Sequence, residues 1–260
     1  MLTYISVIAP IFILLVLSLS IAKDIFYFLR PLPCEYRKIL ENYFLYYQRL
    51  SPEKKLDFER RVNRFIRLKH FIPRNLEKIS DEMKVLVSAS AVQLTFGLNE
   101  IYLTHFDRIL IYPNSYYSTV NRRYHKGEVN PRWGTIALSW KDFLEGFEHP
   151  TSAINLGLHE MAHALHLEDK IVNRSRSFLN EKLLDAYKEL STKTIEKIRN
   201  DEDNFFRKYA GQNEEEFFAV SVETFFEKPE EFLANHPKLY HIMAGLLQQD
   251  PLEVYMSVAA

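Results

Sequence analysis

The sequence predicts a predominantly helical α+β domain with a small sheet, preceded by one membrane-spanning helix. Three observations carry this. Apolar residues recur at helical spacing through most of the chain after residue 34, only two short stretches read as strands, and Met1 to Ala22 holds no charged side chain. The 260 residues carry a formal net charge of −1 and are 47% hydrophobic, which suits one sizeable folded unit over 35–260. No basic excess points to nucleic acid as a partner. Aromatic residues make up 14% of the chain against only 7 glycines, a balance that favours packed helices over repeats or linkers.

The apolar segment 1–22 is long enough, at about 1.5 Å per residue, to cross a hydrocarbon core of roughly 30 Å. Lys23, Arg30, Arg37 and Lys38 follow it and no basic residue precedes it, so the positive-inside rule predicts a single-pass anchor with the rest of the chain in the cytoplasm. The rival is a cleaved signal peptide ending near Ser20-Ile21-Ala22; the missing basic start and the long apolar run argue against it. Residues 23–34 form a connector. Cys34, the sole cysteine, follows Pro31 and Pro33 with no base beside it, which excludes an intrachain disulfide and a cysteine zinc site.

Residues 35–72 read as helical, with a break at Ser51-Pro52, where Ser51 is an N-cap and Pro52 the first helical residue. A further start near Ser80 opens a helix whose small residues Ser88, Ala89, Ser90 and Ala91 suit close packing. Ile109 to Tyr112 has strand length, and Gly134 to Trp140 alternates as a second strand. Between them, 121–131 is a polar hairpin or loop, with His125 facing solvent. Residues 167–202 are charged and helical with a Leu179, Leu183, Leu184, Tyr187, Leu190 stripe. Asn213 opens a helix that Pro229 ends, and a last helix runs from Pro237 to Asp250-Pro251.

Ile154, Leu158, Met161, Ala162 and Leu165 share one face of a helix that contains His159-Glu160-Met161-Ala162-His163. His159 and His163 lie one turn apart on the same side, close enough to hold a single metal ion, with Glu160 beside it. This is the H-E-x-x-H pattern, in which zinc lowers the pKa of a water to about 7 and the glutamate acts as general base.

A catalytic zinc needs a third protein ligand, and with Cys excluded a downstream carboxylate is the natural one. Glu216 and Glu223 share a helix face two turns apart, and either could bind while the other orients a ligand histidine. Glu216 also stands at N3 after Asn213, a position where glutamate caps its own helix. His166 lies about 10 Å along the axis from His159, too far to share the ion comfortably, and suits a supporting or substrate-facing role.

Several stretches resemble one family: Ser80 to Val87, Ile111-Tyr112-Pro113, Gly134 to Trp140, His159 to His163, Glu216 to Val220, Glu223 to Phe226, Leu239-Tyr240 and Asp250-Pro251. In order and spacing they resemble the Mlc titration factor A family of zinc peptidases, whose catalytic domain is similar to that of anthrax lethal factor. The resemblance implies a zincin-like metallopeptidase domain with one zinc ion on His159, His163 and Glu216. It implies Glu160 as catalytic base, Tyr209 as oxyanion donor and Glu223 as a carboxylate supporting a ligand histidine. It leans toward aminopeptidase-like action on small substrates; the expected partner is a peptide or protein substrate, with Gly134 to Trp140 as an edge strand pairing with its backbone. One departure stands out: His166 occupies the place where the family usually has Asp. The anchor is another, and the namesake's partnership with a transcription repressor is not carried over. The alternative function is a membrane-tethered regulator that sequesters an unknown protein partner and keeps zinc for structure, against which the intact Glu160 argues.

Overall fold

The computed structural model describes residue 18 and residues 31–118, 122–149, 151–171 and 177–256. Helices α1 (Cys34–Tyr43) and α2 (Leu45–Gln48) are separated by Phe44, whose extended backbone turns the chain so that Leu40, Phe44, Tyr46 and Tyr47 all enter the core. Helix α3 (Pro52–Leu68) starts where expected, with Ser51 accepting from the Lys54 amide and Pro52 in the first turn.

The expected helix over 35–72 gives way at Lys69, and His70–Pro73 is a strand, β1. Lys69 is extended and its buried ammonium donates to the Leu103 carbonyl, and the next four residues pair with Arg108 to Ile111. That pairing is remote in sequence, and it overrides the local helical pattern. Ser80 caps α4 (Asp81–Thr95), which is buried on nearly every side.

The remaining strands are β2 (Arg108–Tyr112), β3 (Tyr116–Ser118), β4 (Arg123–His125), β5 (Gly127–Asn130) and β6 (Thr135–Ser139). β3 and β4 form a hairpin. The other four make a sheet in the order β1-β2-β6-β5, parallel except for β5, which runs antiparallel along β6 with Gly127 opposite Leu138. The strand read at Gly134 to Trp140 is therefore β6, an interior strand, and the edge beside the H-E-x-x-H helix is β5, inside the stretch expected to be a polar hairpin or loop. Ile109, Ile111, Ile136 and Leu138 are buried because they share, in register, the face of the sheet turned to the core, and the alternating burial along β2 marks that face.

Helices α5 (Trp140–Glu148), α6 (Leu156–Ile171), α7 (Glu181–Arg199), α8 (Glu214–Glu227), α9 (Pro229–Asn235), α10 (Pro237–Leu247) and α11 (Pro251–Met256) complete the chain, with a 3₁₀ turn at Lys208–Gly211. The last helix expected from Pro237 to Asp250-Pro251 is α10, which ends at Leu247 where Gln248 adopts φ 50°, and Pro251 starts a further helix, α11. α6 packs on α8, on α4 and on strands β5 and β6. Gly157 permits the approach to α4 and α5, since a Cβ there would come within 2.6 Å of Phe143 and 2.8 Å of Ser90. From α8, Phe217, Phe218, Phe225 and Phe226 fill the core, each contributing roughly 2 kcal/mol by apolar burial.

The membrane placement expected from the sequence is corrected. Among the described residues no helix is long and apolar enough to cross a membrane. The described helices either show one face to solvent or, like α4 with its 15 residues, fall short of the about 20 that a crossing needs. The segment 1–22 that carried the expectation lies, apart from Ser18, outside the described residues, as does the connector up to residue 30.

Candidate metal centre

Asn155 starts the helix that carries the H-E-x-x-H residues. Its Oδ1 accepts from the Leu158 amide at 3.0 Å and its carbonyl from the His159 amide at 2.9 Å, an N-cap that fixes the first turn of α6. Leu158, Met161, Ala162 and Leu165 face the core as their spacing predicts, but Ile154 precedes the helix and is exposed. The opposite side of α6 presents His159, Glu160 and His163 toward β5, and the first turn of α8 brings in Glu216.

Three donor atoms converge there. His159 Nε2 and His163 Nε2 are 3.1 Å apart, Glu216 Oε2 lies 3.2 Å from the first and 3.6 Å from the second, and the three residues form the candidate metal cluster among the described residues. Asn213 Oδ1 caps the Glu216 amide at 2.8 Å, while Glu216 Oε2 is buried and, among the described residues, accepts no hydrogen bond of good geometry. Tetrahedral zinc with bonds of about 2.0–2.1 Å sets its ligand atoms about 3.3 Å apart. The residues fit one such ion.

Glu223 sits on the far nitrogen. Its Oε1 accepts from His159 Nδ1 at 2.7 Å, and the Arg207 guanidinium donates to both carboxylate oxygens, at 2.5 Å and 3.2 Å. The Asn155 amide donates to Glu223 Oε2 at 2.6 Å. With Nδ1 carrying the proton, the His159 Nε2 lone pair is left pointing at His163 and Glu216. Burial lowers the pKa of His159, but its contacts with Glu216 and Glu223 outweigh that and hold it up at about 10; the place favours positive charge. Burial would raise Glu216, yet the two imidazoles hold its carboxyl well below the usual range.

Glu160 lies fully buried against β5, and burial raises its pKa although His159 and His163 draw it back. Gly127 makes the room: a Cβ there would lie 2.3 Å from Glu160 Oε1. Tyr209, on the 3₁₀ turn, is half exposed with its ring 6.0 Å from that of His159. His166 is further along α6, its ring against Phe218, and burial lowers its pKa to about 4.

A cavity of ≈ 550 Å³ opens on one side of Glu160 toward Lys126, Glu145 and His149, and a smaller one of ≈ 230 Å³ on the other toward His166 and Glu215. His125, expected to face solvent, lines both, because β4 leads directly into β5. Sequence reasoning did not find Arg207, Asn155 or Gly127. The only signals were an arginine two residues before Tyr209, an Asx residue three before Leu158 and a lone glycine in a polar stretch, none of them specific without the fold.

The chain matches the family described as glucose-regulated metallo-peptidase M90 over residues 24–248. It is 28% identical over 244 residues to an uncharacterized protein of Synechocystis sp., covering 86% of this chain and 87% of that one. It is 25% identical over 204 residues to Mlc titration factor A of Edwardsiella ictaluri, covering 72% and 77%, and 26% identical over 222 residues to that of Cronobacter sakazakii, covering 78% and 82%. With the family match running through nearly all of the described fold, the chain belongs to the glucose-regulated metallo-peptidase M90 family.

Proposed function

We propose that this protein hydrolyses peptide bonds with one zinc ion held by His159, His163 and Glu216 and with Glu160 as general base. The observation that carries the reading is the convergence of three donor atoms beside a fully buried carboxylate that takes no part in holding them. Zinc at this place supplies a Lewis acid for the scissile carbonyl and lowers the pKa of a water beside it. Glu160 would take the proton of the attacking water on its carboxylate and hand it to the leaving amine. Tyr209, at the cavity mouth, donates its hydroxyl to the oxygen on which negative charge develops. Glu223 and Arg207 keep the His159 ring in one orientation and one tautomer.

The free edge of β5, rather than β6, is the strand along which a substrate backbone would pair, since β5 ends the sheet and lines both cavities. Glu145, half exposed in the larger cavity with its carboxylate 4.0 Å from the Lys126 ammonium, is an acidic group that an α-ammonium entering there would meet, and it supports aminopeptidase-like action. The relatives' name, a titration factor, favours a second reading in which the domain sequesters a partner. Mass spectrometry of a mixed peptide library incubated with the zinc-loaded full chain separates the two. Loss of N-terminal residues, absent with a chelator and restored by zinc, is expected; an untouched library with one zinc bound per chain would favour the sequestering role.

A further inference from the structure

Across Asn155 from the metal centre lies a third cavity, ≈ 570 Å³, between α1–α2, α5 and the α8–α9 junction. Phe44, Phe147, Leu158 and Phe226 give it apolar walls, and Glu227 is among the groups that line it. Nothing in the proposed reaction uses Glu227. Its Oε1 accepts from Asn155 Nδ2 at 3.0 Å and the Ala153 and Ile154 amides reach the same carboxyl, while Oε2 is buried and makes no hydrogen bond of full geometry among the described residues. Arg49, Lys228, Glu230 and Glu231 also line the cavity. Burial and the nearby Glu223 raise the Glu227 pKa to about 8; the Asn155 side chain and the Ala153 and Ile154 amides draw it down, and no cation figures among these influences. A buried carboxyl held by neutral donors alone stands beside a roomy cavity.

We propose that this cavity binds a small organic cation, a primary ammonium or guanidinium on an apolar stem, seated against Glu227 and coupled through Asn155 to the metal helix. The aromatic walls match an organic stem and add cation–π attraction, whereas a bare metal ion would need more oxygen ligands than Glu227 and Asn155 present. Coupling follows the hydrogen bonds. The same Asn155 that holds Glu227 caps α6 through Leu158 and holds Glu223, whose other oxygen orients His159. A ligand that shifts Glu227 therefore acts on the residue that sets the first turn of the metal helix.

Calorimetric titration of the zinc-loaded full chain with phenethylamine and agmatine tests this, with phenethyl alcohol and potassium chloride as uncharged and inorganic controls. Saturable binding of either amine is expected, at least about tenfold tighter than the alcohol, with loss of about tenfold or more in Glu227→Gln. Asn42→Arg, an exposed position at the cavity rim, places a cation there without touching the Glu227 hydrogen bonds and should weaken the amines likewise. No saturation up to about 10 mM, equal binding of the alcohol, or amine binding untouched by both variants would overturn the site. Coupling is read separately as the zinc affinity against a chromophoric chelator. A severalfold change with saturating amine is expected, and an unchanged affinity would overturn the link.

Discussion

Glu223 and Glu227 stand one helical turn apart on α8 and both reach Asn155, yet their surroundings differ in kind. Glu223 faces the metal centre, where His159, Arg207 and the Asn155 amide satisfy both of its oxygens. Glu227 faces the cavity behind, with one oxygen held by Asn155 and the other, among the described residues, making no hydrogen bond of full geometry and meeting no cation. The short loop 151–155 is strung between them: Arg207 ties down the Ala153 carbonyl at 2.8 Å from one side, and Ala153 itself is held at φ 57°. A fully paired buried carboxylate acts as a fixed support, because moving it strands several donors at once. A half-paired one responds to whatever charge comes near. The difference assigns constancy to the metal side and responsiveness to the rear cavity.

The sharpest way to break the metal side is to remove a ligand. His163→Ala should abolish peptide hydrolysis and lower zinc affinity by several orders of magnitude, read by chelator competition; unchanged zinc binding would remove His163 from the ligand set. Next comes the space for the base. Gly127→Ala should leave about one zinc per chain while kcat falls roughly 10²-fold or more, because the new methyl occupies the place of Glu160 Oε1. An active Gly127→Ala enzyme would mean that Glu160 works from another position.

Loss of support for His159 should cost less. Arg207→Met removes two hydrogen bonds from Glu223 and leaves that carboxylate without its counter-charge, and zinc affinity should drop about 10–100-fold without loss of the fold. An affinity within a factor of two of wild type would show that Asn155 alone suffices to hold Glu223.

The smallest effect lies on the rear side and has a sign fixed by linkage. The Glu227 pKa rises from an ordinary 4.5 to about 8 in the folded chain. Its neutral form is therefore favoured by folding; the stability it gives is full below about pH 4.5 and is lost as pH rises through about 8. Glu227→Gln keeps an acceptor for Asn155 and cannot ionise, so it should be more stable than wild type at pH 9 by on the order of 1 kcal/mol, allowing for partial exposure, with little difference at pH 5. Urea unfolding at the two pH values reads it; equal differences at both would contradict the linkage.

The same division explains how much of the molecule was legible in the sequence. Caps are local, so Ser51, Ser80 and Asn213 marked their helices, and the i, i+4 pair His159 and His163 placed two imidazoles on one face without knowledge of the fold. Sheet order is not local. The Gly134 to Trp140 pattern showed a strand, but only pairing with residues from 108–112 and 127–130 makes it interior. β1 was hidden because His70 to Pro73 continues a helical run and earns its strand state from a partner 38 residues away. Glu216 and Glu223 could not be separated by periodicity alone, since both lie on one face of α8. What separates them is which His159 nitrogen each meets, 3.2 Å from Nε2 for Glu216 and 2.7 Å from Nδ1 for Glu223. Asn155 and Arg207 act through contacts 68 and 16 residues away, and such roles leave no local trace.

The central claim is that Glu160 performs chemistry beside a metal that other residues hold. Its most direct test is the turnover of a peptide substrate by wild type and Glu160→Gln at equal, measured zinc content. Wild-type cleavage with a fall in kcat of about 10³-fold or more in the variant, at undiminished zinc affinity, is the predicted result. Equal turnover of the two proteins would contradict the account.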